Sequence, residues 1–104
     1  MNRRDIVEFL ELQINKEYVL NSFIFGSLAK GLKAPNDCDL FIVTNQTPSG
    51  SNWKNFIKET DLLKEKFEFQ FGLKLNIIIN TEKEFDEYSA FKERILNRPT
   101  IKIN

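Results

Sequence analysis

The sequence predicts a mixed α/β domain of the α+β type, with a small mixed β-sheet of three to four strands flanked by helices. Three observations predict it. The segments YVLNSFIF, DCDLFIVT and LKLNIII are rich in β-branched and aromatic residues and read as strands. Around them, apolar residues recur every three or four positions, the period of a helix packed on one face. The 104 residues suffice for one core and are too few for two, and 41% apolar residues, ten Phe among them, against 29% charged, can fill it. One domain over residues 1–104 is therefore expected.

The first helix is expected from Asp5 to Ile14, where Ile6, Val7, Phe9, Leu10 and Ile14 form one stripe. Tyr18 to Phe25 follows as a strand closed by Gly26, and Gly26-Ser27 opens a short helical turn toward Gly31. After turn chemistry at Pro35-Asn36, DCDLFIVT forms the second strand, with Asp37, Asp39, Phe41 and Val43 on one face and Cys38, Leu40 and Ile42 on the other. Apolar residues on both faces beyond Asp39 put this strand near the middle of the sheet.

NQTPSGSN is a loop whose end offers Ser51 or Asn52 as a cap for a helix carrying Trp53, Phe56, Ile57, Thr60, Leu63 and Phe67 on one stripe. From Phe67 to Ile79 the alternating apolar residues suit a strand as well as a helix. The helix end is placed near Glu68 and the third strand at Leu73 to Ile79. Thr81 and Glu84 have the spacing of a capping box, so a helix carrying Phe85, Tyr88 and Phe91 begins there, with a break near Ser89. Arg98-Pro99 ends the last helical stretch, and TIKI leaves room for a short edge strand.

Composition removes several function classes. Fifteen Lys plus Arg balance fifteen Asp plus Glu, so no net positive field favours a long nucleic acid as partner. The absence of His excludes a Ser-His-Asp triad and takes away the commonest zinc ligand, and the single Cys38 forms no internal disulfide. Cys38 points away from both Asp and reads as a small buried residue rather than a nucleophile. Asp5, Glu8 and Glu11 interrupt MNRRDIVEFLEL, leaving neither a signal core nor a membrane span, so the cytoplasm is the expected compartment and no membrane partner is expected.

The chemistry concentrates in FIFGSLAKGLKAPNDCDLFIV. Gly26 allows close backbone approach to a ligand, while Ser27 at a helix start offers a hydroxyl and free N–H groups to phosphate oxygens. Gly31 ends the turn, and Lys30 could add a cation near the phosphates. Asp37 and Asp39 point the same way, with Cα atoms about 6.6 Å apart at ~3.3 Å per residue. At an effective dielectric near 20 their charges repel by about 2.5 kcal/mol, a cost that a cation between them would remove. Mg²⁺ is the economical choice, because it takes one or two carboxylates together with waters and substrate phosphates, and such a site clamps a triphosphate for in-line attack.

This segment resembles the signature of the DNA polymerase β-like nucleotidyltransferase superfamily, a Gly-Ser followed after nine residues by Asp-x-Asp, matched by Gly26-Ser27 and Asp37-Cys38-Asp39. The predicted order of elements is similar to that of minimal members over nearly the whole chain. The resemblance implies a nucleotidyltransferase fold in which Asp37 and Asp39 act catalytically and hold Mg²⁺ or Mn²⁺. Gly26 and Ser27 would hold the triphosphate of an NTP, ATP first among them, and a nucleoside monophosphate would pass to an acceptor hydroxyl. It further implies a small helical partner protein, as in toxin–antitoxin pairs, or a second copy of the chain. The family carries a third carboxylate on the third strand, and Asn76 stands at the matching position. An amide brings no charge and takes no proton; Glu82 or Glu84 could swing in to replace it.

Two functions from different classes follow: a Mg²⁺-dependent transferase acting on a small molecule or partner protein, and a catalytically degenerate binder of nucleotide or protein acting as an antitoxin-like or regulatory partner. A plain structural domain with an accidental motif is the third.

Overall fold

The computed structural model describes residues 3–26, 28, 29, 31, 37–87, 93 and 99–104. Its elements are α1 (Arg3–Gln13), β1 (Val19–Phe25), β2 (Asp37–Thr44), α2 (Trp53–Phe71), β3 (Lys74–Thr81), α3 (Glu82–Glu87) and β4 (Ile101–Lys102). The four strands form one mixed sheet in the order β3-β2-β1-β4, with β1 antiparallel to β2 and β4 and β2 parallel to β3. Strand β2 is interior, as its two apolar faces predict, and Leu40 to Thr44 are all buried.

The strict alternation of β2 divides the core in two. On one face α1 contributes Ile6 and Leu10, joined by Ile14 just past its end, and α2 contributes Phe56, Leu63 and Phe67, against Cys38, Leu40, Ile42 and Leu75. On the other face Phe23, Phe41 and Val43 pack with Phe85 of α3, the Phe41 and Phe85 rings lying 5.7 Å apart. A bulge between Val19 and Asn21 shifts the phase of β1, which is why odd-numbered Val19 joins even-numbered Ile24 in the helix-covered core.

Helix α2 runs three residues past its expected end near Glu68. The period-two run Phe67, Phe69, Phe71 misleads because only two of these rings are inside: Phe67 and Phe71 meet each other (4.9 Å) and Phe9 (6.1 and 5.4 Å), while Phe69 is 91% exposed. The helix stops where Gly72 takes φ 66° and donates its N–H to the Glu68 carbonyl. Its start carries Asn52 in the cap position without a side-chain hydrogen bond. Glu68 also uses its side chain, accepting the Leu75 N–H at 2.9 Å and so tying the end of α2 to the start of β3.

The capping box forms: the Thr81 N–H donates to Glu84 Oε1 (3.0 Å) and the Glu84 N–H to Thr81 Oγ1 (3.2 Å). Thr81→Ala should cost about 1 kcal/mol in denaturant unfolding, the usual worth of such a cap. Tyr88, Ser89 and Phe91, assigned to the continuation of this helix and its break, lie outside the described residues. At the far edge β4 pairs with β1, and the Ser22 hydroxyl donates to the Asn104 side chain, whose amide reaches the Val19 carbonyl at 3.2 Å. Among the described residues no helix is long and apolar enough to cross a membrane.

Candidate active site

Asp37 and Asp39 open β2 on the sheet face opposite α1 and α2, the face that continues into Phe41 and Phe85. Both are half-buried. The antiparallel register sets Asp39 beside Phe25, the last residue of β1, and the parallel register sets it beside Asn76 of β3. Three strand ends and the turn after β1 therefore meet at one place.

The Asn76 side chain bridges the two acids. Its Nδ2 donates to Asp37 Oδ2 at 3.0 Å and to Asp39 Oδ1 at 3.2 Å, so both N–H groups of the amide are used on carboxylates. The carboxylates thus converge on one point. Neither forms an ion pair with a lysine or arginine among the described residues.

Gly26 is required by Asp39. It has φ 75°, and a Cβ built on it would stand 2.3 Å from Asp39 Oδ2. Only a glycine both adopts this left-handed conformation readily and leaves the carboxylate in place. Gly31, at φ 82°, donates its N–H to the Leu28 carbonyl (3.1 Å). Ser27 and Lys30, proposed from the sequence as phosphate ligands, lie outside the described residues.

Cys38 lies between the acids in sequence and on the opposite face in space, fully buried against the α1 and α2 side chains. Burial, then the neighbouring Asp39 and Asp37 charges, push its thiol up from 9.0 to about 12. Because the thiolate is the reactive form, the folded protein should react with a disulfide reagent at pH 8 at least about a hundredfold more slowly than the unfolded chain, measured by release of the chromophore.

Glu82 and Glu84 are not brought to the acids. They follow Thr81, five residues beyond Asn76 on β3 and therefore about 16 Å away at ~3.3 Å per residue, and Glu84 is engaged in its capping box. A residue not singled out from the sequence lies beside the glycine turn: the Arg3 guanidinium comes within 3.8 Å of the position a Gly31 Cβ would take. A basic residue at the start of an amphipathic helix reads as solvated, and only the packing of α1 beside the glycine turn gives Arg3 its place.

The donor set fits a divalent cation of the Mg²⁺ type. Two carboxylates converge, while no group of three or more His, Cys, Asp or Glu capable of holding a metal exists among the described residues. Mg²⁺ is content with one or two carboxylates when waters and substrate phosphates complete its shell.

The model of the nucleotidyltransferase domain family matches residues 4–101. Among solved structures, the chain is similar to a mutant MntA–HpeT toxin–antitoxin, with a TM-score of 0.57 at 12% identity, covering 100% of this chain and 73% of that one. It is also similar to a Sulfolobus solfataricus protein assigned to the nucleotidyltransferases, with a TM-score of 0.50 at 14% identity, covering 96% of this chain and 80% of that one. At these identities the two structures establish a shared fold. No curated protein sequence matches significantly.

Proposed function

The chain belongs to the nucleotidyltransferase domain family, and from that premise we propose that it moves a nucleoside monophosphate from an NTP to a hydroxyl of a small molecule or partner protein, with Mg²⁺ or Mn²⁺. The observation that carries this is the convergence of Asp37 and Asp39 beside a turn whose Gly26 is dictated by the Asp39 carboxylate. Such a turn lets the backbone come close to phosphate oxygens.

In this reading Gly26 and Ser27 grip the triphosphate, with Lys30 adding positive charge. Asp37 and Asp39 would hold the cation, which when bound supplies charge neutralisation of the phosphates and polarisation of the reacting phosphoryl group. The acceptor oxygen attacks in line, a P–O bond forms to it as the bond to pyrophosphate breaks, and the nucleoside monophosphate is retained on the acceptor. The acceptor's proton has no destination at Asn76, whose amide is not a base. That proton would pass to solvent water or to a carboxylate oxygen of Asp37 or Asp39, the acids beside Asn76.

ATP is the proposed donor and the cytoplasm the proposed compartment. A companion protein is proposed as acceptor or regulator. The shared fold with MntA–HpeT, a toxin–antitoxin, supports this, as does the exposure of the apolar Leu12 (83%) and Phe69 (91%). Asn76 favours a second reading, a member that binds nucleotide or partner without chemistry. The two separate in one assay: labelled nucleotide from each NTP, with Mg²⁺ or Mn²⁺, offered to proteins that co-purify with the chain. Transfer abolished by chelator supports the enzyme. A nucleotide-dependent rise in Tm without transfer supports the binder.

A further inference from the structure

The amide of Asn76 occupies the acids' own ligand positions. Asp37 Oδ2 and Asp39 Oδ1, one oxygen of each acid, are the two that accept its Nδ2 protons. A cation and this NH₂ group therefore compete for the same oxygens. The amide orientation is fixed by chemistry, since turning Oδ1 inward would crowd three acceptors together with no donor between them. The backbone holds the side chain over the pair, because Asn76 lies directly beside Asp39 in the parallel ladder and the preceding Leu75 N–H is anchored by Glu68.

We propose that Asn76 is a specificity-determining gate on cation binding. Its NH₂ clasps the two carboxylates until a divalent ion displaces it, the amide then turning about its last side-chain torsion to offer Oδ1, and this restricts the site to one such ion at reduced affinity. The proposal rests on the assignment of Asp37 and Asp39 as the cation ligands and deepens it. Its physical basis is twofold. Each incoming ion must break two charge-assisted hydrogen bonds, and the amide brings no third negative charge with which to hold a second ion. The turned amide keeps its place, since Asn carries an acceptor and a donor at nearly the same positions.

The test is Mn²⁺ titration of the full chain by electron paramagnetic resonance and calorimetry, with Asn76→Asp as the diagnostic variant. Asp matches Asn in shape, and circular dichroism of the variant checks that its fold is retained. Wild type is expected to take one Mn²⁺, and Asn76→Asp to bind it at least roughly tenfold more tightly, because a third carboxylate replaces the competing NH₂. In wild type labelled with ¹⁵N, the Asn76 side-chain amide signals should shift as Mg²⁺ is added, whereas the exposed Asn52 amide should not follow. Unchanged Mn²⁺ affinity in Asn76→Asp, or an Asn76 amide insensitive to Mg²⁺, overturns the gate while the metal site stands, provided that Asp37→Asn/Asp39→Asn loses Mn²⁺. If wild type and Asp37→Asn/Asp39→Asn bind Mn²⁺ equally poorly, the cation-ligand assignment itself falls and the gate with it.

Discussion

Asp37→Asn or Asp39→Asn should reduce nucleotidyl transfer to background, a loss of about 10³-fold or more, equivalent to roughly 4 kcal/mol of transition-state stabilisation. The shape of each side chain is kept, so the loss would report charge alone. Stability should move the other way or hardly at all. The bare repulsion of two charges at this spacing is about 2.5 kcal/mol, and solvent at the half-buried carboxylates screens much of it, leaving a gain of up to about 1 kcal/mol on neutralising one. A variant that is as stable as wild type in denaturant and inactive with every NTP is thus the expected result. Activity within tenfold of wild type in both variants would remove these residues from the chemistry.

Gly26→Ala carries the second large effect. The new Cβ would meet Asp39 Oδ2 at 2.3 Å, so the carboxylate must turn away from its bond to Asn76. Misplacement of a reacting group by about 1 Å can cost some 10²-fold in rate, and a loss of that size is expected in transfer. The left-handed φ of 75° adds a backbone cost of about 1–2 kcal/mol, visible as a lower Tm. Gly72→Ala separates the two contributions. Gly72 also has positive φ, at 66°, yet nothing lies within 4 Å of its Cβ position, so this control should lose stability and keep its activity. Equal loss of activity in both variants would mean that backbone strain, rather than the collision with Asp39, is responsible.

Much of the fold is legible in the chain because its signals are local. The alternation of DCDLFIVT assigns each side chain to a face, and the structure places Cys38, Leu40 and Ile42 under the helices and Phe41 and Val43 on the far side. The spacing of Thr81 and Glu84 announces a cap that forms. The end of α2 is not legible from period alone, because a run of Phe at every second position suits both a strand and a helix. The choice falls to Phe9, a residue far away in sequence whose ring receives Phe67 and Phe71 and leaves Phe69 in solvent.

The proximity of Asp37 and Asp39 needs only the two-residue period of a strand, and their likeness to a family signature needs only the letters. What Asn76 does with its amide is a different matter. It depends on β3 lying parallel to β2 with Asn76 beside Asp39, a register between residues 37 positions apart in the chain. Likewise, that Gly26 must lack a Cβ follows from Asp39 standing against it across the β1–β2 pair. Residue types and local period determined which elements form and which side chains share a face. The sheet register decided which polar atoms come within hydrogen-bonding distance, because that distance is set by contacts among segments remote in sequence.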